Sequence, residues 1–365
     1  VKEYLIAVHA NFSERDSSCL IAESCLGYLL QFTAHDSLNY GNINNFQLAE
    51  YAAGYWVNHA RDAEQSNGKS GVMKKLIEDL FKPNGAPFVT WIQLWDPEDS
   101  WFSMINFARR PAGFPLYYAS LLGLFYQVQR LKEQGADVNA QGGHYGNALQ
   151  AASYGGNQEI VKLLIEKGAD VNAQGGLYSN ALQAASVNGN QGIVKLLIEK
   201  GGDVNSQGGL YGNALQAASV NGNQEIVKLL IGEGADVNSQ GGLYGNALQA
   251  ASATGNQGIV KLLIEKGADV NSQGGHYGNA LQAASVTGNQ EIVKLLIEQG
   301  ADVNAQGEFY SNALQAASFN GNQDIVKLPI EKGANVNSQG GEYGNALQGA
   351  SVNGNKEIVK LNHTW

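Results

Sequence analysis

Residues 111–365 repeat one unit of 33 residues, and no other feature limits the possible folds so tightly. Gly-Ala-Asp-Val-Asn segments (Gly-Gly-Asp-Val-Asn at one position) end at Asn139, Asn172, Asn205, Asn238, Asn271 and Asn304, and Gly-Ala-Asn-Val-Asn ends at Asn337. A second marker, Asn-Ala-Leu-Gln, begins at Asn147, Asn180, Asn213, Asn246, Asn279, Asn312 and Asn345. A unit this short cannot enclose its own apolar face, so it is predicted to stack on its neighbours. Such a stack offers a surface for binding more readily than a centre for reaction.

One unit, His144 to Gly176, illustrates the local logic. Asn147 stands where a helix cap belongs, before Ala148, Leu149, Ala151 and Ala152, so its side chain is predicted to take an orphan N–H of a first helix. Ala151 and Ala152 let two helices approach closely. Gly155 and Gly156 break that helix, and Asn157 is placed to cap a second one. Ile160, Val161, Leu163, Leu164 and Ile165 form its apolar body. Glu159, Lys162, Glu166 and Lys167 form its polar face, with Lys162 and Glu166 at i,i+4. Gly168 suits the C-terminal turn, and Val171 to Gly176 leads through a tight reversal to Tyr178 and the next cap, Asn180.

Helix, turn, helix and protruding hairpin at this period resemble the ankyrin repeat. That family's Thr-Pro-Leu-His tetrapeptide stands here as Asn147-Ala148-Leu149-Gln150, its Gly-His pair as Gly156-Asn157, and its Gly-Ala-Asp-Val-Asn as Gly168 to Asn172. The resemblance implies an all-α ankyrin-repeat solenoid preceded by a small helical domain over residues 1–110, with about eight units over 111–365. The first unit, Pro111 to Gly143, is degenerate: Phe114-Pro115-Leu116-Tyr117 replaces the usual tetrapeptide, and the unit is expected to join the N-terminal helices to the array without a free linker. The last, Glu342 to Trp365, stops in or just after its second helix without a polar cap, which predicts a truncated chain or loose terminal order. Pro329 replaces a leucine inside a second helix, at a cost of about 3 kcal/mol, so the last two units are expected to be the weakest. The smaller defect at Gly232 costs about 1 kcal/mol or less.

Because the units are nearly identical, the positions that vary within this one chain are informative. One is Tyr154, Val187, Val220, Ala253, Val286, Phe319 and Val352, at the end of the first helix. The other is His144, Leu177, Leu210, Leu243, His276, Phe309 and Glu342, just before the hairpin tyrosine. The resemblance implies that first helix and hairpin line a concave side, which makes these residues the candidate protein- or peptide-binding face. Leu177, Leu210, Leu243 and Phe309 form an apolar row suited to a protein surface; packing between neighbouring hairpins is the other reading. Tyr178, Tyr211, Tyr244, Tyr277, Tyr310 and Tyr343 are expected to stack as a ladder, with a continuous binding stripe as the rival. Asp170, Asp203, Asp236, Asp269 and Asp302 recur once per unit near a helix end and read as turn residues.

The first 110 residues read as helices. Ser17 to Phe32 places Leu20, Ile21, Cys25, Tyr28, Leu29 and Phe32 at helical spacing. Phe46 to Ala60 does the same with Leu48, Ala49, Ala52, Ala53, Trp56 and Val57. Val72 to Phe81 makes a third, ended by Pro83 and Pro87. Phe88 to Trp95 reads as a short aromatic segment, and Trp101 to Phe107 as a further helix. Trp56, Phe88, Trp91, Trp95 and Trp101 either form a core or line a pocket, with core the simpler reading. Gly68-Lys69-Ser70 mimics the end of a phosphate-binding loop, but Ala63 stands where that loop needs glycine and the preceding segment is helical.

Nothing pairs a nucleophile with a base, and His9, His35 and His59 have no partner at metal-ligand spacing. No enzyme activity, cofactor or metal is therefore expected. Net charge is −10 with pI near 5.1, and no Lys/Arg block provides a footprint for nucleic acid. No apolar run approaches a membrane span, so no membrane insertion is expected. Two cysteines, Cys19 and Cys25, suggest a reducing compartment, hence the cytoplasm. Asn11-Phe12-Ser13 matches a glycosylation acceptor, discounted because no secretion signal is visible.

Val1 to Leu5, Ile21 to Leu29 and Leu48 to Trp56 resemble the region that follows the nucleotide-binding NACHT domain in fungal NACHT–ankyrin proteins, which are NOD-like signalling receptors. The resemblance implies that this chain is the ligand-sensing or autoinhibitory portion of such a receptor. It would contact a NACHT domain that the chain itself lacks and would not turn over nucleotide. A free-standing adaptor that binds a protein partner is the alternative.

Overall fold

In a computed structural model, residues 14–34, 38–65, 71–83, 85–98, 114–307 and 309–362 are described. They contain 20 α-helices and no strand beyond isolated bridges. The chain divides into two compact units, Val1–Ala169 and Asp170–Trp365.

The first unit begins with α1 (Glu14–Leu30), α2 (Ala49–Gln65), α3 (Gly71–Leu80) and α4 (Ala86–Leu94). α4 is the segment that sequence reading left as short and aromatic. Pro87, expected from sequence to end the preceding helix, occupies the first turn of α4, where its missing N–H and fixed φ suit a helix start. Two other expectations need correction. Leu20 and Leu48 are exposed at 41% and 42%, and α2 starts only at Ala49, so neither leucine belongs to the buried face. Ile21, Cys25, Leu29, Ala52, Ala53, Trp56 and Val57 do.

The aromatic set is a core. Trp56 lies edge-on to Phe81 and Trp91 at 6.3 and 5.5 Å, and Phe88 lies 5.7 Å from Trp91. Such edge-on pairs add about 1 kcal/mol each to the burial of their area. Trp91 Nε1 donates to the Ala53 carbonyl at 3.0 Å. Trp95 packs over Gly54, where an added Cβ would crowd its ring at 3.2 Å. Burial pushes the Cys25 thiol up to about 11, which keeps it protonated and unreactive. Trp101 to Phe107, the Gly68-Lys69-Ser70 motif, His9, His35 and Asn11 lie outside the described residues.

The degenerate repeat forms α5 (Pro115–Leu121) and α6 (Phe125–Glu133), followed by α7 (Ala148–Tyr154) and α8 (Gln158–Glu166). α5 and α6 pack directly on the N-terminal helices. Tyr118 meets Phe88 edge-on at 5.8 Å, Arg61 Nε donates to the Leu122 carbonyl at 3.0 Å, and Tyr126 donates to Glu78 at 3.1 Å. Tyr117 donates to Glu98, whose other carboxylate oxygen accepts from Tyr118 at 3.5 Å.

The second unit stacks six helix pairs. The first helices are α9 (Ala181–Val187), α11 (Ala214–Val220), α13 (Ala247–Thr254), α15 (Ala280–Thr287), α17 (Ala313–Asn320) and α19 (Ala346–Val352). The second helices are α10 (Gln191–Glu199), α12 (Gln224–Gly232), α14 (Gln257–Glu265), α16 (Gln290–Glu298), α18 (Gln323–Glu331) and α20 (Lys356–Asn362). First helices are small-residue rods: Ala217, Ala218 and Leu215 are almost wholly buried, as are their counterparts in α9, α13, α15 and α17. Each second helix buries one stripe, such as Ile226, Val227 and Leu230, and each such aliphatic side chain contributes about 1.5–3 kcal/mol when fully buried.

Polar bonds fix the register. Each tetrapeptide asparagine caps its helix: Asn213 Oδ1 accepts from Gln216 N at 2.9 Å, and Asn147 does the same for Gln150 at 3.0 Å. The asparagine before each second helix does not cap it. Asn223 Nδ2 instead donates to the Ser186 carbonyl at 3.0 Å, one unit back, and Asn157 does so to Ser120 at 2.8 Å. Turn asparagines bridge forward: Asn205 Nδ2 donates to Gly234 O at 3.0 Å while its Oδ1 accepts from Asp236 N at 2.8 Å. Asp236 Oδ1 accepts from Asn238 N at 2.9 Å, the turn role expected of the repeated aspartates. Lys162 pairs with Glu159 at 2.8 Å and not with Glu166. Pro329 is accommodated inside α18, buried and without shortening the helix.

Candidate functional site

The hairpins of the second unit are built by glycine. Gly208 and Gly209 have φ of +137° and +67°, and Gly208 N donates to Gly212 O at 2.8 Å to close the reversal. Ser179 and Ser311 take the position of Gly212 with φ near +69° and +64°. Serine is unusual there; each hydroxyl donates to a nearby glutamine carbonyl oxygen, Gln174 and Gln306 respectively.

The residues before the tyrosines form the tips. Successive tips are tied by backbone bonds: Leu210 N to Leu177 O, Leu243 N to Leu210 O and His276 N to Leu243 O, all 2.8 Å, and Glu342 N to Phe309 O at 2.9 Å. Sequence reading missed this ladder, because no side-chain pattern signals it. The tip side chains point away from a full packing role. Leu210 and Leu243 are exposed at 37% and 46%, His276 is exposed, and Leu177 and Phe309 are half-buried. His276 lies against Tyr277 at 5.2 Å and Phe309 at 5.5 Å.

Behind the tips the tyrosines stack. Ring centroids are 5.8 Å apart for Tyr178–Tyr211, 6.3 Å for Tyr211–Tyr244, 6.1 Å for Tyr244–Tyr277 and 6.3 Å for Tyr310–Tyr343. Burial, then the neighbouring phenol of Tyr277, raises the Tyr244 hydroxyl above its ordinary value, and burial with Tyr343 does so for Tyr310. The tyrosines thus pack between hairpins in two runs, Tyr178 to Tyr277 and Tyr310 to Tyr343, with the His276–Phe309 ring contact where the runs meet.

The helix-end positions are less open. Val187 and Ala253 are buried, Val220 and Val286 half-buried, and Val352 exposed at 69%. Phe319 stacks on Tyr343 at 4.2 Å. In the first unit Tyr154 stacks on Tyr145 at 4.2 Å, and His144 is exposed with its N–H donated to Glu98 at 2.5 Å. The aromatic members of this set therefore pack on hairpin tyrosines, leaving Leu210, Leu243 and Val352 as the openly apolar residues of the two sets. Among the described residues no group of three or more His, Cys, Asp or Glu is placed to hold a metal, and no helix is long and apolar enough to cross a membrane.

A sequence model of the family described as "Ankyrin repeats (3 copies)" matches residues 116–208, 149–241, 214–307 and 280–361. The chain is similar to the azaphilone pigments biosynthesis cluster protein L of Monascus ruber, with 40% identity over 155 residues, 39% of this chain and 32% of that protein. It thus spans about a third of that relative's length. Among solved structures it resembles the ankyrin repeat domain of human ASB11, with a TM-score of 0.51, 24% identity, and coverage of 59% of this chain and 96% of that one.

Proposed function

The chain belongs to the ankyrin-repeat family, and from that premise we propose that it is a non-enzymatic scaffold that binds a protein or peptide partner. The observation that carries this reading is the row of hairpin tips in the second unit, where Leu210 and Leu243 stay exposed in register although the tyrosines beside them are packed. Apolar side chains repeated at one edge of a rigid stack suit recognition by a protein. In the second unit Leu177, His276 and Phe309 at the tips and Val220 and Val286 at the helix ends are the supporting positions of this face; Val187, Ala253 and Phe319 lie behind it, and Tyr154 and His144 are the corresponding positions of the first unit. The test is the double substitution Leu210→Ala/Leu243→Ala, compared with the natural chain in affinity capture from cells that express it. Lost capture of a specific partner at a melting temperature within about 2 °C is expected. A lowered melting temperature would instead make these leucines packing residues, and full capture would remove them from the face.

The finer reading, the cytoplasmic ligand-sensing or autoinhibitory portion of a NOD-like receptor, is favoured by one observation. The segments that resemble such proteins, Ile21 to Leu29 and Leu48 to Trp56, fall on α1 and at the start of α2, two helices that pack on each other. A transcript that encodes a nucleotide-binding domain in frame before Val1 supports this reading. A transcript with a stop codon there leaves the free-standing adaptor.

A further inference from the structure

From Leu177 to His276 the tips and hairpins carry no Asp, Glu, Lys or Arg; Glu308 and Glu342 belong to the hairpins that follow. Between Asp170 and Glu308, every Asp, Glu and Lys lies on a second helix, on the residue that ends it, or in the turn that follows. Residues 171–194, 204–224, 237–260 and 270–290, which form the hairpins and first helices, contain none, and His276 is their one histidine. Exposed polar groups at the ends of the first helices are neutral and already engaged. Asn221 Nδ2 donates to the Val187 carbonyl at 2.5 Å. Thr254 and Thr287 donate to Ala250 and Ala283 at 2.9 and 3.1 Å and accept from Asn256 and Asn289.

The backbone of the row is committed as well. At Leu210 and Leu243 the N–H donates to the preceding tip and the C=O accepts from the following one. A partner strand cannot be added there, because strand addition needs free N–H and C=O groups on the edge it joins. What the row offers is side chains alone: Leu210 and Leu243, flanked by the half-buried Leu177, Tyr211 and Tyr244.

A charged partner group pressed onto this surface would lose water and find no counter-charge. A polyanion such as nucleic acid is disfavoured for the same reason. We propose that the tip row between Leu177 and His276 takes an uncharged, apolar peptide segment of another protein, held by that segment's side chains and not by its backbone. This inference rests on the reading of the row as a binding face.

The test selects phage-displayed random peptides on the full chain and measures the binding of those recovered. They are expected to be poor in Asp, Glu, Lys and Arg. Their affinity should change less than about threefold between about 50 mM and about 500 mM NaCl. Alanine at their apolar positions should abolish binding, while N-methylation of their backbone should be tolerated. Leu210→Asp/Leu243→Asp should weaken them at least about tenfold at unchanged melting temperature, with Leu210→Ser/Leu243→Ser as the milder variant if the first fails to fold. Peptides that need both leucines yet are charged, salt-labile or broken by N-methylation would overturn the inference and leave the binding face standing. Peptides that bind the leucine variants equally well, or a selection that recovers none, would remove the face itself and the inference with it.

Discussion

Asn223 illustrates how a residue's type and place underdetermine its work. From sequence it stands before α12 and invites the role of cap, as Asn147 does before α7. In the structure Asn147 caps, while Asn223 uses its amide nitrogen to reach the Ser186 carbonyl of the previous unit. Asn256, Asn289, Asn322 and Asn355 repeat that bond to Ser219, Ser252, Ser285 and Ser318 at 2.9–3.2 Å. The two roles separate under substitution by aspartate. Asp is as good a cap as Asn and favours a helix N-terminus, but it has no donor and would face a carbonyl oxygen. Asn223→Asp is therefore expected to destabilise the chain by about 1–3 kcal/mol, read from the urea midpoint. An unchanged or raised midpoint would restore the cap reading.

At the scale of elements the weak point is α18. Proline has no N–H to give the Ile325 carbonyl and crowds the turn before it, yet α18 keeps the length of its siblings because Pro329 is buried where they bury Leu164, Leu197, Leu230, Leu263 and Leu296. Hydrogen exchange is expected to be fastest beyond Lys327, and Pro329→Leu to slow it and to stabilise the chain by up to about 3 kcal/mol. Uniform protection over 276–365 in the natural chain would contradict this. The helices themselves were legible because a 33-residue period superposes several weak signals: caps, glycines and apolar stripes. In the N-terminal helices each signal occurs once. There Pro87 misled as a stop when it was a start, and Leu20 and Leu48 fitted a helical stripe without being buried. Of the candidate face, the variable positions were legible from the chain's own near-identity. The backbone ladder between tips, which decides how a partner can dock, leaves no trace in side-chain identity.

For the whole molecule, the family supplies a stack whose sides differ in chemistry. In the second unit charges collect on second helices and their turns, and apolar and neutral polar groups on hairpins and first helices. The two sides are accordingly expected to respond differently to a partner. The most direct measurement is amide hydrogen exchange of the full chain with and without a peptide selected on it. The account predicts added protection in the tips and hairpins of residues 171–290, with α10, α12, α14 and α16 unchanged. Protection confined to those second helices, with the tips unaffected, would contradict it.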